Sequence, residues 1–403
     1  MKTYWLEAAD VLFFRDGRSF DAGESHGADG SALPAGSVIA GAVRSAFLAA
    51  HLPPGKTLED YGRECGAAAW QEVTDGIGTP SNPYPFALQG PFPARRGEKG
   101  EVETFFPWPR DMSVDKSTKQ FQYLVPGKLP EGAAYSQDAL LPLQPQRVTR
   151  SNDGEENEKP ERPEHFSALQ LAAYLAGEGA KVRDAATGWD SEERVGIERG
   201  PGGGVKIGRL YSAKFLRFAP GWGLTFAASV DLGSKSLLKL GGEHRAAFCE
   251  ALEGPAWEAA ANKLREAVVK TGRLRLYCAS ETAFAQGWLP DAFDSETLRL
   301  KAAHPLAAIG VEARLAAIAA GKAVSRQGWD LAAGVPKAVV RCVPAGSVYF
   351  LECLPGEGAG RLFDRLHGTC VWQETAAVAD AAQRAAFGGG LTFCGIWNYG
   401  EEE

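Results

Sequence analysis

The sequence of 403 residues predicts an α+β protein made of two ferredoxin-like (RRM-like) domains, the first enlarged by a large irregular insertion. Three observations lead there. Apolar strand-like runs recur in both halves with only a few short helices between them, which suits a β-α-β-β-α-β unit. One stretch near the N-terminus has strong helical spacing. Thirteen of the 24 prolines fall in residues 51–150, where they disfavour long helices. The domains are therefore expected at 1–250, with the insertion at about 51–190, and at 251–403.

Composition narrows the class. The chain is 45% hydrophobic and 23% charged, enough for a sizeable core. It has no run of about 18 apolar residues, so no membrane-spanning helix is expected. Seven scattered cysteines, no C-x-x-C and no signal-peptide pattern predict reduced thiols in a cytoplasmic protein. The net charge of -7 argues against a free-standing nucleic-acid binder. It leaves room for a subunit that shares an RNA with neighbours, because the local field decides at a contact.

In chain order, residues 3–14 read as a first strand, bent near Ala8-Ala9-Asp10. A polar, glycine-bearing loop follows, carrying Arg15, Arg18 and His26. Pro34 and Gly36 then lead into a helix to about residue 50, with Ser37 as the expected N-cap. Val38, Ile39, Ala42, Val43, Ala46 and Phe47 give that helix one apolar face. Arg44 falls on the small side with Ser37 and Gly41, as either a solvated arginine or a phosphate contact. The runs 85–91 and 102–107 flank a charged tip and read as a protruding hairpin, a protein contact or a hairpin folded on its own domain. Residues 151–164 hold six acids and two bases and read as a mobile loop. A short helix is expected over 166–176.

The most basic segment is Arg199 to Arg217, with Arg199, Lys206, Arg209, Lys214 and Arg217 and no acid. Its glycine-rich tip at 200–204 joins strands expected at 194–199 and 205–218. Such a hairpin is either a solvated tip or a place where a phosphate backbone comes close. Beyond it, strands are expected at 224–230, 273–278, 299–303, 338–343 and 347–353, and helices at 256–270, 311–320, 360–366 and 380–386. The chain closes on a glycine loop, Phe387-Gly388-Gly389-Gly390, running into a strand. Pro-Ala-Gly-Ser-Val occurs at 34–38 and 344–348, heading a helix and then a strand, and is not read as a repeat.

Enzyme signatures are weak. There is no H-E-x-x-H, no P-loop and no strand-linked G-x-G-x-x-G. Cys342, Cys353, His367 and Cys370 match no standard zinc spacing, and no metal or cofactor is expected. His26 is a possible acid or base for RNA cleavage, or a loop histidine with no such task.

The stretch Leu33-Pro34 to Arg44 resembles the helix signature of the RAMP superfamily of CRISPR systems, and residues 387–395 resemble its glycine-rich loop. Seven further motifs, in order, resemble the third-subunit family of the type III-B Cmr effector complex. They are Val11 to Arg18, Gly196-Ile197-Glu198-Arg199, Leu210-Tyr211-Ser212, Leu240 to Arg245, Gly328-Trp329-Asp330, Ala345 to Tyr349 and Gly395 to Tyr399. Gly389 stands where that family usually has an aromatic residue. The resemblance implies a non-catalytic subunit that binds the repeat-derived 5′ tag of the guide RNA. It also implies contacts with the large cyclase-domain subunit and the backbone RAMP subunits, and only indirect contact with target RNA. The alternative within the superfamily is a guide-processing endoribonuclease using His26.

Residue chemistry suits a single-stranded tag, held by cations on phosphates and by close backbone approach. The expected RNA-binding residues are Arg15, Arg18, Ser37, Arg44, Arg199, Lys206, Arg209, Gly388, Gly389 and Gly390.

Overall fold

The computed structural model describes residues 1–14, 27–28, 33–114, 121–128, 139–145, 163–178, 188–199, 205–243, 245–254, 261–330 and 335–398. For 27–28, 121, 198–199, 205–211 and 329–330 it describes the backbone only. The expected loop at 151–164 lies largely outside the described residues.

The first half runs β1 (Lys2–Ala8), β2 (Gly27–Ala28), α1 (Gly36–Ala50), α2 (Leu58–Glu64), α3 (Gln71–Ile77), β3 (Leu88–Arg96) and β4 (Val102–Pro107). It continues with β5 (Met112–Val114), β6 (Phe121–Pro126), β7 (Leu143–Pro145), β8 (His165–Ser167) and α4 (Ala168–Leu175). Then come β9 (Trp189–Arg199), β10 (Val205–Phe218), β11 (Trp222–Ala228), β12 (Lys235–Lys239) and β13 (Ala246–Leu252). Seven of these strands form one antiparallel sheet in the order β12-β13-β1-β11-β3-β4-β8. The period-2 pattern of β1 puts Tyr4 and Leu6 on the face covered by α1, where they meet Ile39, Val43 and Phe47 in one core.

The second half runs α5 (Ala261–Thr271), β14 (Arg273–Cys278), β15 (Ala313–Ala319), β16 (Val324–Arg326), β17 (Trp329–Asp330), β18 (Val335–Pro336) and β19 (Val340–Cys342). It ends with β20 (Val348–Cys353), α6 (Glu357–Leu366), α7 (Val371–Glu374), α8 (Ala381–Ala386) and β21 (Thr392–Gly395). Four strands make an antiparallel sheet, β15-β20-β14-β21. Its core joins Leu274, Leu276, Phe350, Leu362 and Trp372.

The architecture is thus mixed α+β with several antiparallel sheets, and three expectations are corrected. Residues 313–319 form a strand, not the expected helix. Alanine-rich Ala313–Ala319 favours a helix locally, but its ladder with β20 and the burial of Leu315, Ala316 and Ala317 override that preference. The 85–107 hairpin does not protrude; β3 and β4 lie inside the large sheet, with Phe92 and Phe106 buried. Consequently 51–190 is not wholly an insertion: β3 and β4 complete the first sheet, and β5, β6 and α4 send Met112, Val114, Val125 and Tyr174 into the core of the second half.

Candidate RNA interface

Helix α1 begins two residues earlier than its sequence suggests. Ala35, not Ser37, is the N-cap, and no side chain caps the helix start. Ser37 sits exposed in the first turn. The first turn is crowded at Gly36: a Cβ there would lie 2.0 Å from the carbonyl oxygen of Phe387 and 3.1 Å from that of Gly90. Glycine lets three backbone segments meet here.

The terminal glycine loop closes the same junction. Gly388, at φ +85, faces the Gly90 carbonyl, where a Cβ would come within 2.7 Å. A Cβ on Gly390 would meet Gln373 at 2.2 Å, and one on Gly389 would meet the Arg384 carbonyl at 2.9 Å. The Ser280 hydroxyl donates to the Gly388 carbonyl (2.7 Å) and accepts from the Leu391 N–H (2.8 Å). The sequence has this loop offering close approach to an RNA backbone; in the structure Gly388 and Gly390 are buried, and their missing side chains admit protein backbone and Gln373.

Arg44 is also placed differently from its expected reach toward phosphate. Its Nε donates to the Ile77 carbonyl (3.2 Å) and its Nη2 to the Thr79 carbonyl (2.9 Å). Ile77 ends α3, so the cation satisfies a carbonyl left open at a helix C-terminus. The guanidinium lies 5.8 Å from the Phe387 ring centroid. Burial lowers its pKa from the usual arginine value.

The second cluster is the β9–β10 hairpin. Arg199 and Val205 pair across the ladder, which carries a register shift between Val205 and Leu210. The backbone positions of Arg199, Lys206 and Arg209 are therefore on this hairpin, while their side chains lie outside what is described. Arg15, Arg18 and His26 also lie outside the described residues. The flanks of their loop are described. Leu12 and Leu216 exchange backbone hydrogen bonds at 2.9 and 2.8 Å, and Gly27 pairs in parallel with Ser212. Both ends of the 15–26 loop therefore adjoin β10.

The root of that hairpin is not cationic without acids, as its sequence window suggests. Arg217 bonds to Glu192 and lies 3.2 Å from Asp10. Arg194 bonds to Glu192 at 2.7 Å and reaches Asp10 at 3.4 Å. Arg245 adds contacts to Asp10 (3.6 Å) and Glu243 (3.0 Å). Arg194 and Arg245 each sit 5.0 Å from the Phe215 ring centroid. Hydrogen bonds from Arg217 and Arg194 hold the Glu192 carboxyl below its ordinary pKa.

Residue reasoning missed a buried polar group between β14 and the 108–178 region. Asp111 and Arg275 are 0% and 3% exposed, with Nη1 and Oδ2 3.5 Å apart. The Tyr174 hydroxyl donates to Asp111 at 2.8 Å, and the guanidinium lies over the Tyr174 ring at 4.6 Å. Burial pushes the Asp111 carboxyl up, against the pull of Arg275. No sequence signal links these positions. The Cys342, Cys353, His367 and Cys370 set does not assemble: His367 accepts from the Cys394 N–H, and among the described residues no three His, Cys, Asp or Glu side chains gather around one point.

A sequence profile of the Cas_Cmr3 family, described as a CRISPR-associated protein, matches residues 4–397. The chain is similar to one in a cryo-EM structure of the type III-B Cmr-beta bound to cognate target RNA. That match has 16% identity and a TM-score of 0.44, over 87% of this chain and 86% of that one. A second similarity is to a chain of Cmr-beta with cognate target RNA and AMPPnP, at 15% identity and a TM-score of 0.46, over 96% and 93% of the two chains. No curated protein matches. The profile runs over almost the whole length, from the first strand through the glycine loop at 387–390. The chain belongs to the Cas_Cmr3 family of CRISPR-associated proteins, the third-subunit family of type III-B effector complexes.

Proposed function

We propose that this protein is a non-catalytic RNA-binding subunit of a cytoplasmic type III-B effector complex. It anchors the repeat-derived 5′ tag of the guide RNA and joins the large cyclase-domain subunit to the backbone RAMP subunits. Target RNA is then met only through the guide. The observation that carries this reading is a shared strand: both flanks of the loop bearing Arg15 and Arg18 pair with β10, Leu12 with Leu216 and Gly27 with Ser212, and β10 is also the strand that carries Lys206 and Arg209. Single-stranded RNA is held by such a track of cations along its phosphates.

The reading includes two ferredoxin-like domains, at 1–250 and 251–403. Support comes from strand order. Counting the four strands of each unit by sequence, β13-β1-β11-β3 and β21-β14-β20-β15 both run fourth-first-third-second, all antiparallel. Each unit retains a helical crossover, α1 in the first and α6 in the second.

The test is guide binding by the full chain across a salt series, with tagged and tag-less RNA. Tagged RNA should bind more tightly. Arg199→Ala/Lys206→Ala/Arg209→Ala should flatten the log affinity against log salt slope by about 2, the loss of three single-strand phosphate contacts. Equal binding of both RNAs, or an unchanged slope, overturns the anchor. Metal-independent cutting of repeat RNA by the protein alone, lost in His26→Ala, would replace it with an endoribonuclease.

A further inference from the structure

The seven-stranded sheet is covered unevenly. One face carries α1. On the other, Phe92 of β3 and Phe106 of β4 enter the core of the second half. At the far end this outer face is open. There Leu237 of β12 and Phe248 of β13 stand opposite each other, 60% and 57% exposed. The register Leu237-Phe248-Glu7 puts them on the same face as Ala94 and Phe92.

β12 is also the sheet's edge, and among the described residues nothing pairs with its outer side. The bonds from Ala251 N–H to the Ser234 carbonyl and from Leu240 N–H to the Arg245 carbonyl fix the phase of the ladder. By alternation, Lys235, Leu237 and Lys239 turn their own N–H and C=O groups to the free edge. Their side chains share the open face, and all three are exposed. Among the described residues neither lysine forms an ion pair; Glu250, which stands opposite Lys235, is held by Arg96 at 3.1 Å.

We propose that this edge receives an added strand from a protein partner, with acidic residues two positions either side of an apolar one. Strand addition supplies main-chain hydrogen bonds, and alternate side chains supply specificity. The apolar residue would lie beside Leu237 and extend the Leu237–Phe248 pair. The acids would face Lys235 and Lys239, which discourage neutral or basic strands. A second copy of this chain fits poorly: antiparallel pairing centred on Leu237 sets Lys235 against Lys239. Nucleic acid fits poorly too, because Glu7 and Glu250 share the face with Phe248. This inference is independent of guide binding.

The experiment uses the full chain and two fluorescent nine-residue peptides. The probe is Thr-Thr-Glu-Thr-Leu-Thr-Glu-Thr-Thr; the control has Lys in place of both Glu. The acidic peptide should bind at least about tenfold more tightly. Lys235→Glu/Lys239→Glu, which keeps the apolar pair, should reverse that preference. Leu237→Asp should abolish binding while leaving the circular dichroism spectrum unchanged. Equal binding of the two peptides, no binding at millimolar concentration, or unchanged preference after charge reversal overturns the proposal. So does self-association lost in Leu237→Asp, or oligouridylate cross-linking at Phe248.

Discussion

Gly36 and Phe387 meet backbone to backbone: the space a Cβ on Gly36 would need lies 2.0 Å from the Phe387 carbonyl oxygen. The two residues open α1 and the terminal glycine loop, at opposite ends of the chain. Gly36→Ala should therefore destabilise the protein by about 3 kcal/mol, since neither backbone can yield like a flexible side chain. Gly41, in the same helix, has nothing within 4 Å of its missing Cβ. Gly41→Ala should stabilise by about 0.5–1 kcal/mol through helix propensity. Urea unfolding of both variants checks the contrast; equal effects would mean that the junction is not tight.

Arg44→Ala should act on stability and not on RNA electrostatics. It leaves the Ile77 and Thr79 carbonyls without their donors, at about 1–3 kcal/mol. Because both bonds point into the protein, the salt slope of guide binding should match that of the unaltered chain. A flatter slope in Arg44→Ala would assign the guanidinium to a phosphate instead.

His165 should make the fold sensitive to mild acid. Burial alone lowers its pKa from 6.5 to about 4, so the folded protein keeps the ring neutral where the unfolded chain protonates it. The unfolded state binds more protons between those values, so stability falls as pH drops from 6.5 toward 4. The loss should be at most about 3 kcal/mol, from 1.36 kcal/mol per pH unit. Denaturation midpoints measured at pH 7, 5.5 and 4.5 should decline less in His165→Gln; parallel declines would show another group to be responsible.

What was legible in sequence was what short windows determine. The apolar spacing of Ile39, Ala42, Val43 and Phe47 marks α1 to its last residue, alternation marks β14, and a continuous strand-like run marks β20. What was not legible depends on partners far along the chain. Arg217 looked unopposed because Asp10, one of its acids, lies 207 residues away. Arg44 looked free because backbone carbonyls at 77 and 79 leave no mark in a sequence. Gly388 and Gly390 looked like a ligand cradle because glycine signals close approach without saying to what. Ala313–Ala319 was misread because its strand state is decided by β20, not by alanine.

The Asp111–Arg275 pair joins the 108–178 region to the second sheet, and its partners should be strongly coupled. Arg275→Met leaves a buried carboxylate without its cation, which should cost about 3–5 kcal/mol. Asp111→Leu alone should also destabilise, because it leaves Arg275 buried and takes away the acceptor of the Tyr174 hydroxyl. Removing both charges together should destabilise less than Arg275→Met alone, since the desolvation of each ion is removed with it. A double-mutant cycle in urea measures this directly. Additive losses would mean that Asp111 and Arg275 act separately, and that Tyr174 and the aromatic packing around it hold the two regions together.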